Sequence, residues 1–380
     1  MSRWAFALLI VCAVTVRAEA ATKVLYSFKG GSDGATPTGR LLLIGNDLYG
    51  TTSEGGGTGC ERSAGCGTVF KLASDGTETV LHVFQSGADG AKPTAGLIAD
   101  SQGNLYGTTA EGGGGFCHKH LKGCGTLFKV TPDGTTTILH AFAGRVGGET
   151  PIGTLTVDEE GNFYGTTVQG GFHADKGFGT IYKLARDGTF TVLVKIPRPS
   201  YFPTGGVLRD AQGNLYGVTQ QGGDNGAGVL YELAPDGTLT YLHSFDFSEG
   251  AYPTGELIAD AGGNFYGTTH GSVYKLAPDG TFTTLYTFTD GRDGGRPMAG
   301  LILDTAGNIY GTASQGGRNC GCGTVFELAL NGTETTLNMF KKAKGSTPMA
   351  SLIMDQNGNL YGTASKGGAN GFGSVFRTGN

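Results

Sequence analysis

The 380-residue chain has little tryptophan, few charged side chains and no long apolar run beyond its N-terminus. Trp4 is the one tryptophan, and charged residues make up 16% of a sequence with a net charge of −5. An acidic chain without a basic stripe is a poor match to nucleic acid, so we expect no nucleic-acid partner. The apolar run from Trp4 to Val16 is shorter than a comfortable membrane span, so we expect none in the mature protein.

The N-terminal apolar run instead resembles an export signal. Arg3 precedes it, and Ala18-Glu19-Ala20 forms a small-x-small cleavage site after it. We therefore predict a signal peptide at residues 1–20, and a single secreted or periplasmic domain at residues 21–380. The C-terminal residues contain no anchor, and we expect a soluble monomer.

The sequence also lacks two common catalytic signatures. It contains no His-Glu-x-x-His and no phosphate-binding loop. These absences argue against the metalloproteases and nucleotide-dependent enzymes that use those motifs, and we predict no cofactor and no metal.

The chain is rich in glycine, with 71 residues, and much of it follows a repeat of about 50 residues. Each repeat has a proline-led segment, a Gly-Asn-Leu-Tyr-Gly-Thr-Thr segment, a Gly-Thr-Val-Phe-Lys-Leu segment and a Thr-Val-Leu-His-Val-Phe segment, with variations. All four are short, rich in β-branched and aromatic residues, and bounded by turn residues, which is typical of strands. The Tyr-Gly step recurs seven times, with its tyrosine at Tyr49, Tyr106, Tyr164, Tyr216, Tyr266, Tyr310 and Tyr361.

The repeats predict an all-β, seven-bladed β-propeller with four-stranded antiparallel blades. Asp-Gly or Asn-Gly separates the third and fourth segments in six repeats, and such pairs favour tight hairpins. The seventh repeat stops after its third segment, and residues 23–28 form an unpaired fourth segment at the start. We therefore expect the N-terminal strand to close the last blade, which would remove both free sheet edges.

The linked motifs Tyr-Gly-Thr-Thr, Gly-Gly, Gly-Thr-Val-Phe-Lys-Leu, Asp-Gly-Thr and Leu-His-x-Phe resemble the GloVer (Gloeo/Verruco) tandem repeat over nearly all of residues 22–380. The resemblance implies an exported bacterial propeller. It supplies no established catalytic residues to carry over.

Loop residues that break the repeat are the candidates for function. The connections between the second and third strands, and between blades, should share one rim and are long and varied, as binding loops often are. Histidine and arginine there could hold an anionic sugar or act as acid and base. The ligand-binding candidates are His118, His120, His173, His270, Arg292 and Arg296. By contrast, His82, His140 and His243 recur at one place in the fourth strand, which indicates packing.

Six cysteines lie in pairs just before the third strand of three blades. The pairs are Cys60 with Cys66, Cys117 with Cys124, and Cys320 with Cys322. Equivalent placement in an exported protein predicts three local disulfides. Zinc bound by Cys117, His118, His120 and Cys124 is an alternative for one pair.

Two functions remain open from the sequence. The first is a non-catalytic scaffold that binds a polysaccharide or a cell-surface protein through the varied rim. The second is a carbohydrate-active enzyme, a lyase or hydrolase of acidic polysaccharide, in which a loop histidine is the base and Arg292 or Arg296 neutralises the uronate.

Overall fold

The computed structural model describes residues 22–57, 60, 64–115, 117, 123–171, 178–318 and 320–379. These residues form seven antiparallel sheets, which are the seven blades of a propeller. The predicted signal peptide lies outside the described residues, as do His118, His120 and His173. No helix in the described part of the chain is long and apolar enough to cross a membrane.

Blades 1 to 3 each contain four strands in sequence order. Blade 1 consists of β2 (Leu42–Ile44), β3 (Asp47–Thr52), β4 (Thr68–Leu72) and β5 (Glu78–Val83). Blade 2 consists of β6 (Ile98–Ala99), β7 (Leu105–Thr109), β8 (Thr126–Val130) and β9 (Thr136–Ala141). Blade 3 consists of β10 (Thr156–Val157), β11 (Phe163–Thr167), β12 (Thr180–Leu184) and β13 (Phe190–Lys195).

Blade 4 has an additional short strand, and blades 5 and 6 return to four. Blade 4 consists of β14 (Tyr201–Pro203), β15 (Leu208–Arg209), β16 (Leu215–Gln221), β17 (Val229–Leu233) and β18 (Leu239–Ser244). Blade 5 consists of β19 (Thr254–Ala259), β20 (Phe265–Thr268), β21 (Ser272–Leu276) and β22 (Phe282–Thr287). Blade 6 consists of β23 (Ile302–Leu303), β24 (Ile309–Ala313), β25 (Thr324–Leu328) and β26 (Glu334–Met339). Single 3-10 turns occur in four interblade connections: Gly31–Asp33, Gly87–Asp89, Arg145–Gly147 and Lys342–Lys344.

Blade 7 joins the two ends of the chain. It consists of β27 (Ile353–Met354), β28 (Leu360–Ala364), β29 (Ser374–Thr378) and β1 (Lys23–Ser27). Strand β1 pairs antiparallel with β29, from Lys23 opposite Arg377 to Ser27 opposite Ser374. The prediction of seven blades closed by the N-terminal strand is therefore confirmed.

Three residues of the repeated Tyr-Gly-Thr-Thr segment have a clear physical role. In six blades the tyrosine hydroxyl donates to an aspartate in the turn before its strand, as Tyr106 does to Asp100 at 2.9 Å. A Cβ at Gly50 would lie 2.7 Å from the ring of Phe70, so the close packing of this ring requires glycine. The second threonine pairs its hydroxyl with the threonine that opens the third strand, as in Thr52 with Thr68 at 2.8 Å. These buried contacts explain why the segment recurs with so little change.

The core lies between neighbouring blades. Phe28, the residue after β1, packs edge-on against Phe70 of blade 1, with 5.2 Å between ring centroids. Phe84 and Phe128 repeat this contact between blades 1 and 2 at 5.1 Å. Aromatic packing on both sides of each sheet is what a ring of stacked blades needs, and it accounts for strands that are apolar on both faces.

Candidate ligand site on the loop rim

The two ends of the ring differ in their connections. Residues of the interblade connections form bridges with residues of the second-to-third strand connections, as Ala35 does with Glu54 and Glu149 with Gln169. These two kinds of connection therefore lie at the same end, which we call the loop rim. The short turns between first and second strands and between third and fourth strands lie at the other end, which we call the hairpin rim.

One residue in each blade holds an unusual conformation on the loop rim. It directly precedes the proline that leads into the first strand of the blade, and its φ lies between 52° and 60°. Left-handed backbone is costly for residues other than glycine, and such positions cluster at functional sites. We call these seven residues the rim ring: Thr36, Lys92, Thr150, Phe202, Tyr252, Arg296 and Thr347.

Backbone hydrogen bonds from the preceding blade fix most of the rim ring. The N–H of Tyr252 donates to the carbonyl of Ala227 at 2.8 Å, and the N–H of Phe202 donates to Phe178 at 3.1 Å. Equivalent bonds hold Thr36, Lys92, Thr150 and Thr347. The carbonyl of Arg296 accepts from both the N–H and the hydroxyl of Ser314 at 3.0 Å each, as the carbonyls of Thr36 and Thr347 accept from Ser53 and Ser365. The rim ring thus has a fixed backbone and freely varied side chains.

Two residues after each rim-ring position, the chain lines the central channel. The cavity there measures about 240 Å³ and is lined by all seven blades. Four of the lining residues are threonines whose buried hydroxyls have no hydrogen-bond partner among the described residues: Thr38, Thr94, Thr204 and Thr254. The same position is apolar in the other three blades, at Ile152, Met298 and Met349.

An ion pair joins two residues of the channel that each stand two positions after one of these threonines. Nη1 of Arg40 in blade 1 lies 3.5 Å from Oε2 of Glu256 in blade 5, and both residues also line the cavity. The cavity therefore combines hydroxyl groups, apolar side chains and one pair of opposite charges. Such a mixture suits a small, neutral or acidic, hydroxylated group.

Aromatic and cationic side chains gather beside this cavity at blade 5. The rings of Tyr252 and His270 are 5.2 Å apart, and the rings of Tyr252 and Phe247 are 5.9 Å apart. Arg296 is close enough to His270 to affect its titration. We call Phe247, Tyr252, His270 and Arg296 the blade-5 cluster; Phe247 is 63% exposed. Tyr252 stands two residues before Thr254, which lines the channel cavity.

The surroundings of His270 favour its neutral form. Burial, and secondly the positive charge of Arg296, lower the pKa of His270 below its ordinary value. Its Nε2 is buried and has no hydrogen-bond partner among the described residues. A neutral imidazole with an unused nitrogen can accept a proton or a hydrogen bond from a ligand.

The structure brings together some of the residues proposed from sequence. The charge of Arg296 acts on His270 in the blade-5 cluster, whereas Arg292 lies on the same loop as Arg296 with an exposed side chain. Sequence reasoning missed Tyr252 and Phe247. The signal for Tyr252 was available, because an aromatic residue stands there where four other blades have threonine or lysine before the proline.

The fourth-strand histidines have structural partners. Nε2 of His82 lies 3.0 Å from the carboxylate of Asp89, and Nε2 of His243 lies 2.5 Å from Glu249. Tyr26 and Tyr286 occupy the same place in their blades and donate to Asp33 and Asp293. His140 stacks on Phe190 of the next blade at 3.8 Å between centroids. These contacts support the packing role inferred for the position.

All three predicted disulfides are present: Cys60–Cys66, Cys117–Cys124 and Cys320–Cys322. The zinc alternative loses two of its four ligands, since Cys117 and Cys124 are bonded to each other. Within the described ranges, no group of three or more histidine, cysteine or acidic residues is arranged to hold a metal ion. Disulfides of this kind fit an extracellular or periplasmic protein.

A family model described as the Gloeobacter/Verrucomicrobia repeat matches residues 11–118, 114–272 and 269–379. No curated protein matches the chain significantly.

Among solved structures, a streptogramin B lyase shares 14% identity with a TM-score of 0.65, over 94% of this chain and 96% of that one. An oligogalacturonate lyase from Vibrio parahaemolyticus shares 11% identity with a TM-score of 0.58, over 95% and 93%. PorZ, a surface component of the type-IX secretion system of Porphyromonas gingivalis, shares 14% identity with a TM-score of 0.54, over 93% of this chain and 47% of that one. At these identities the likeness concerns the fold.

Proposed function

Because the chain belongs to the Gloeobacter/Verrucomicrobia repeat family, whose repeats here build a closed seven-bladed propeller, we propose that it is an exported scaffold that binds a glycan on its loop rim. The observation that carries this proposal is the blade-5 cluster next to the hydroxyl-lined channel cavity. Export is part of the proposal: residues 1–20 are the signal peptide and residues 21–380 form one domain.

The chemistry of the cluster matches an acidic sugar chain. The apolar face of a sugar ring packs well on an aromatic ring, and Tyr252 and Phe247 offer two. Arg296 is exposed and supplies a positive charge for a carboxylate. The threonine hydroxyls of the channel can exchange hydrogen bonds with sugar hydroxyls, which offsets the cost of leaving them unpaired in a buried place.

A second function is favoured by one observation, the neutral and unpartnered imidazole of His270. In a lyase of uronate polymers, Nε2 of His270 would take the proton from the carbon next to the carboxylate. The electron pair of the broken carbon–hydrogen bond would form the carbon–carbon double bond. The neighbouring carbon–oxygen bond would break, and the departing glycosidic oxygen would keep that bonding pair and take a proton from water. Arg296 would neutralise the carboxylate while the charge develops.

Binding to a panel of acidic and neutral oligosaccharides tests the proposal. We expect acidic oligosaccharides to bind, and Tyr252→Ala to weaken binding about 10-fold or more, because truncated aromatic anchors dominate such losses. Tyr241→Ala is the matched control, since this tyrosine is 39% exposed on β18, away from the cluster. Equal losses in the two variants, or no binding to any oligosaccharide, would refute the rim site.

The same ligands separate the two functions. A lyase converts uronate polymers into chains with an unsaturated end, which absorb ultraviolet light, and His270→Asn should abolish this while leaving binding in place. Tight binding without product in the wild type identifies a scaffold.

A further inference from the structure

A second cavity lies on the hairpin rim, at the seam where the two ends of the chain meet. It measures about 590 Å³ and lies between blade 7 and blade 1. Leu25, Leu43, Leu48 and Leu72 form part of its apolar wall. This volume falls within the range of about 300–1,000 Å³ that small-molecule sites occupy.

Two cations stand side by side in this cavity. Lys23 of β1 lies directly opposite Arg377 of β29, and both residues line the cavity. Like charges directly opposite each other in an antiparallel pair are destabilising. Neither residue takes part in an ion pair among the described residues.

The other six blades show that this arrangement is specific to the seam. At the register position of Arg377, the third strand carries a lysine or glutamate, and the facing residue of the fourth strand is always threonine. These threonines are Thr79, Thr137, Thr191, Thr240, Thr283 and Thr335. The repeat therefore does not require a lysine at position 23.

The acidic residues of the cavity are already engaged. Asp75 accepts the N–H of Thr77 at 2.8 Å, as its counterparts do in other blades. Asp355 accepts from the side chains of Asn359 and Tyr361 at 2.8 and 3.0 Å. These donors are neutral, and neither carboxylate forms an ion pair with Lys23 or Arg377 among the described residues, so both cations can contact an external anion.

We propose that the seam cavity binds a small hydroxylated anion, such as a sugar acid or a sugar phosphate. The anionic group sits between Lys23 and Arg377, which removes their mutual repulsion and forms charge-assisted hydrogen bonds. The side chains of Gln356 and Asn357 form hydrogen bonds with the hydroxyl groups of the ligand, and the leucines pack on the apolar face of its sugar ring. Since Lys23 and Arg377 belong to the first and last strands, the ligand stabilises the pairing of β1 with β29 that closes the propeller.

Calorimetric titration with glucuronate and with glucose 6-phosphate tests this site, with glucose at equal ionic strength as the neutral probe. The titrations use the Tyr252→Ala variant, so that the loop rim contributes little and failure here is separate from failure of the proposed function. We expect one bound anion per chain and slower hydrogen exchange in β1. Absence of binding by both anions, or equal binding of glucose, would overturn the proposal.

Substitutions at the seam complete the test. Lys23→Thr installs the residue type of the other six blades, so this variant should fold and have an unchanged or higher Tm without ligand. We expect it, and independently Arg377→Gln, to weaken anion binding about 10-fold or more. Lys129→Thr removes the corresponding third-strand cation of blade 2 and should leave binding unchanged. Binding that survives both seam variants, or that falls equally in Lys129→Thr, would overturn the assignment.

Discussion

Blades 1, 2 and 6 and blades 3, 4 and 5 build the loop rim from the same repeat but secure it by different means. In the first group a disulfide spans the second-to-third strand connection. The carbonyl of its second cysteine accepts the N–H of the next rim-ring residue, as Cys124 does from Thr150 at 2.9 Å. In the described part of the second group no disulfide is present, and Phe178 or Ala227 supplies that carbonyl.

The two groups also support different rim-ring residues. The disulfide-containing blades hold Lys92, Thr150 and Thr347, whereas blades 3 to 5 precede Phe202, Tyr252 and Arg296. The aromatic and cationic side chains proposed to contact the ligand therefore lie where the loops are held by packing. Near Phe202, for example, the ring of Phe178 packs against Tyr201 at 4.6 Å and under the guanidinium of Arg198.

The difference extends into the core. The large aromatic residue of the third strand is tyrosine in blades 3, 4 and 5 and phenylalanine in the other four. The hydroxyls of Tyr182, Tyr231 and Tyr274 are buried and have no hydrogen-bond partner among the described residues. Blades 3 to 5 thus each bury one aromatic hydroxyl that the other blades lack. The comparison teaches that disulfides brace one part of the ring, whereas the aromatic and cationic residues of the candidate site lie in the other.

Removing a disulfide should have the largest effect on this contrast. We expect Cys117→Ser with Cys124→Ser to reduce stability by roughly 2–2.5 kcal/mol, the chain-entropy value for such a short loop. Thermal unfolding under oxidising conditions measures the loss. Oligosaccharide binding at the blade-5 cluster should stay within twofold of the wild type. A large loss of binding would show that the braced and unbraced parts of the rim are coupled.

Removing the buried hydroxyls without partners should change stability by a smaller amount and in the opposite direction. Tyr182→Phe, Tyr231→Phe and Tyr274→Phe each remove a buried hydroxyl without a partner, and we expect about 1 kcal/mol of added stability per substitution. Chemical denaturation measures the gain. The reverse change Phe128→Tyr in blade 2 is the control and should destabilise. Destabilisation by all three tyrosine substitutions would mean that these hydroxyls are satisfied.

The smallest expected effect concerns the protonation of His270. By NMR titration its pKa should lie below the ordinary value of about 6.5, because burial and Arg296 both disfavour the charged form. Stability should then fall as the pH drops below about 6.5, since the unfolded chain takes up the proton first. Arg296→Gln should raise the pKa of His270, whereas Arg292→Gln should not. Equal pKa shifts in both variants would contradict a specific effect of Arg296 on His270.

Most of the scaffold was predictable from sequence because its determinants are local and recur. The Tyr-Gly step, the Asp-Gly turns and the paired cysteines each specify a contact within one blade, so seven copies reinforce the same interpretation. Closure by β1 followed from a missing fourth strand at one end and a surplus one at the other. The additional strand β14 was not foreseen, since Tyr201-Phe202-Pro203 resembles an ordinary entry into the first strand.

The candidate site was only half predictable, because it joins loops from different repeats. His270 and Arg296 were recognisable as residues that break the pattern, but nothing in the sequence places them beside Tyr252. The channel threonines were hidden for the opposite reason. Thr38 and Thr254 fit the strand pattern so well that only the ring geometry shows their hydroxyls turned into a common cavity.

The left-handed backbone before each proline has a consequence for how this propeller can change its specificity. Threonine, lysine, phenylalanine, tyrosine and arginine all occupy that conformation in one molecule, so the backbone at this position accepts many kinds of side chain. Each of the seven rim-ring residues can therefore be substituted separately, by natural selection or by protein engineering, without a change in the backbone of its loop.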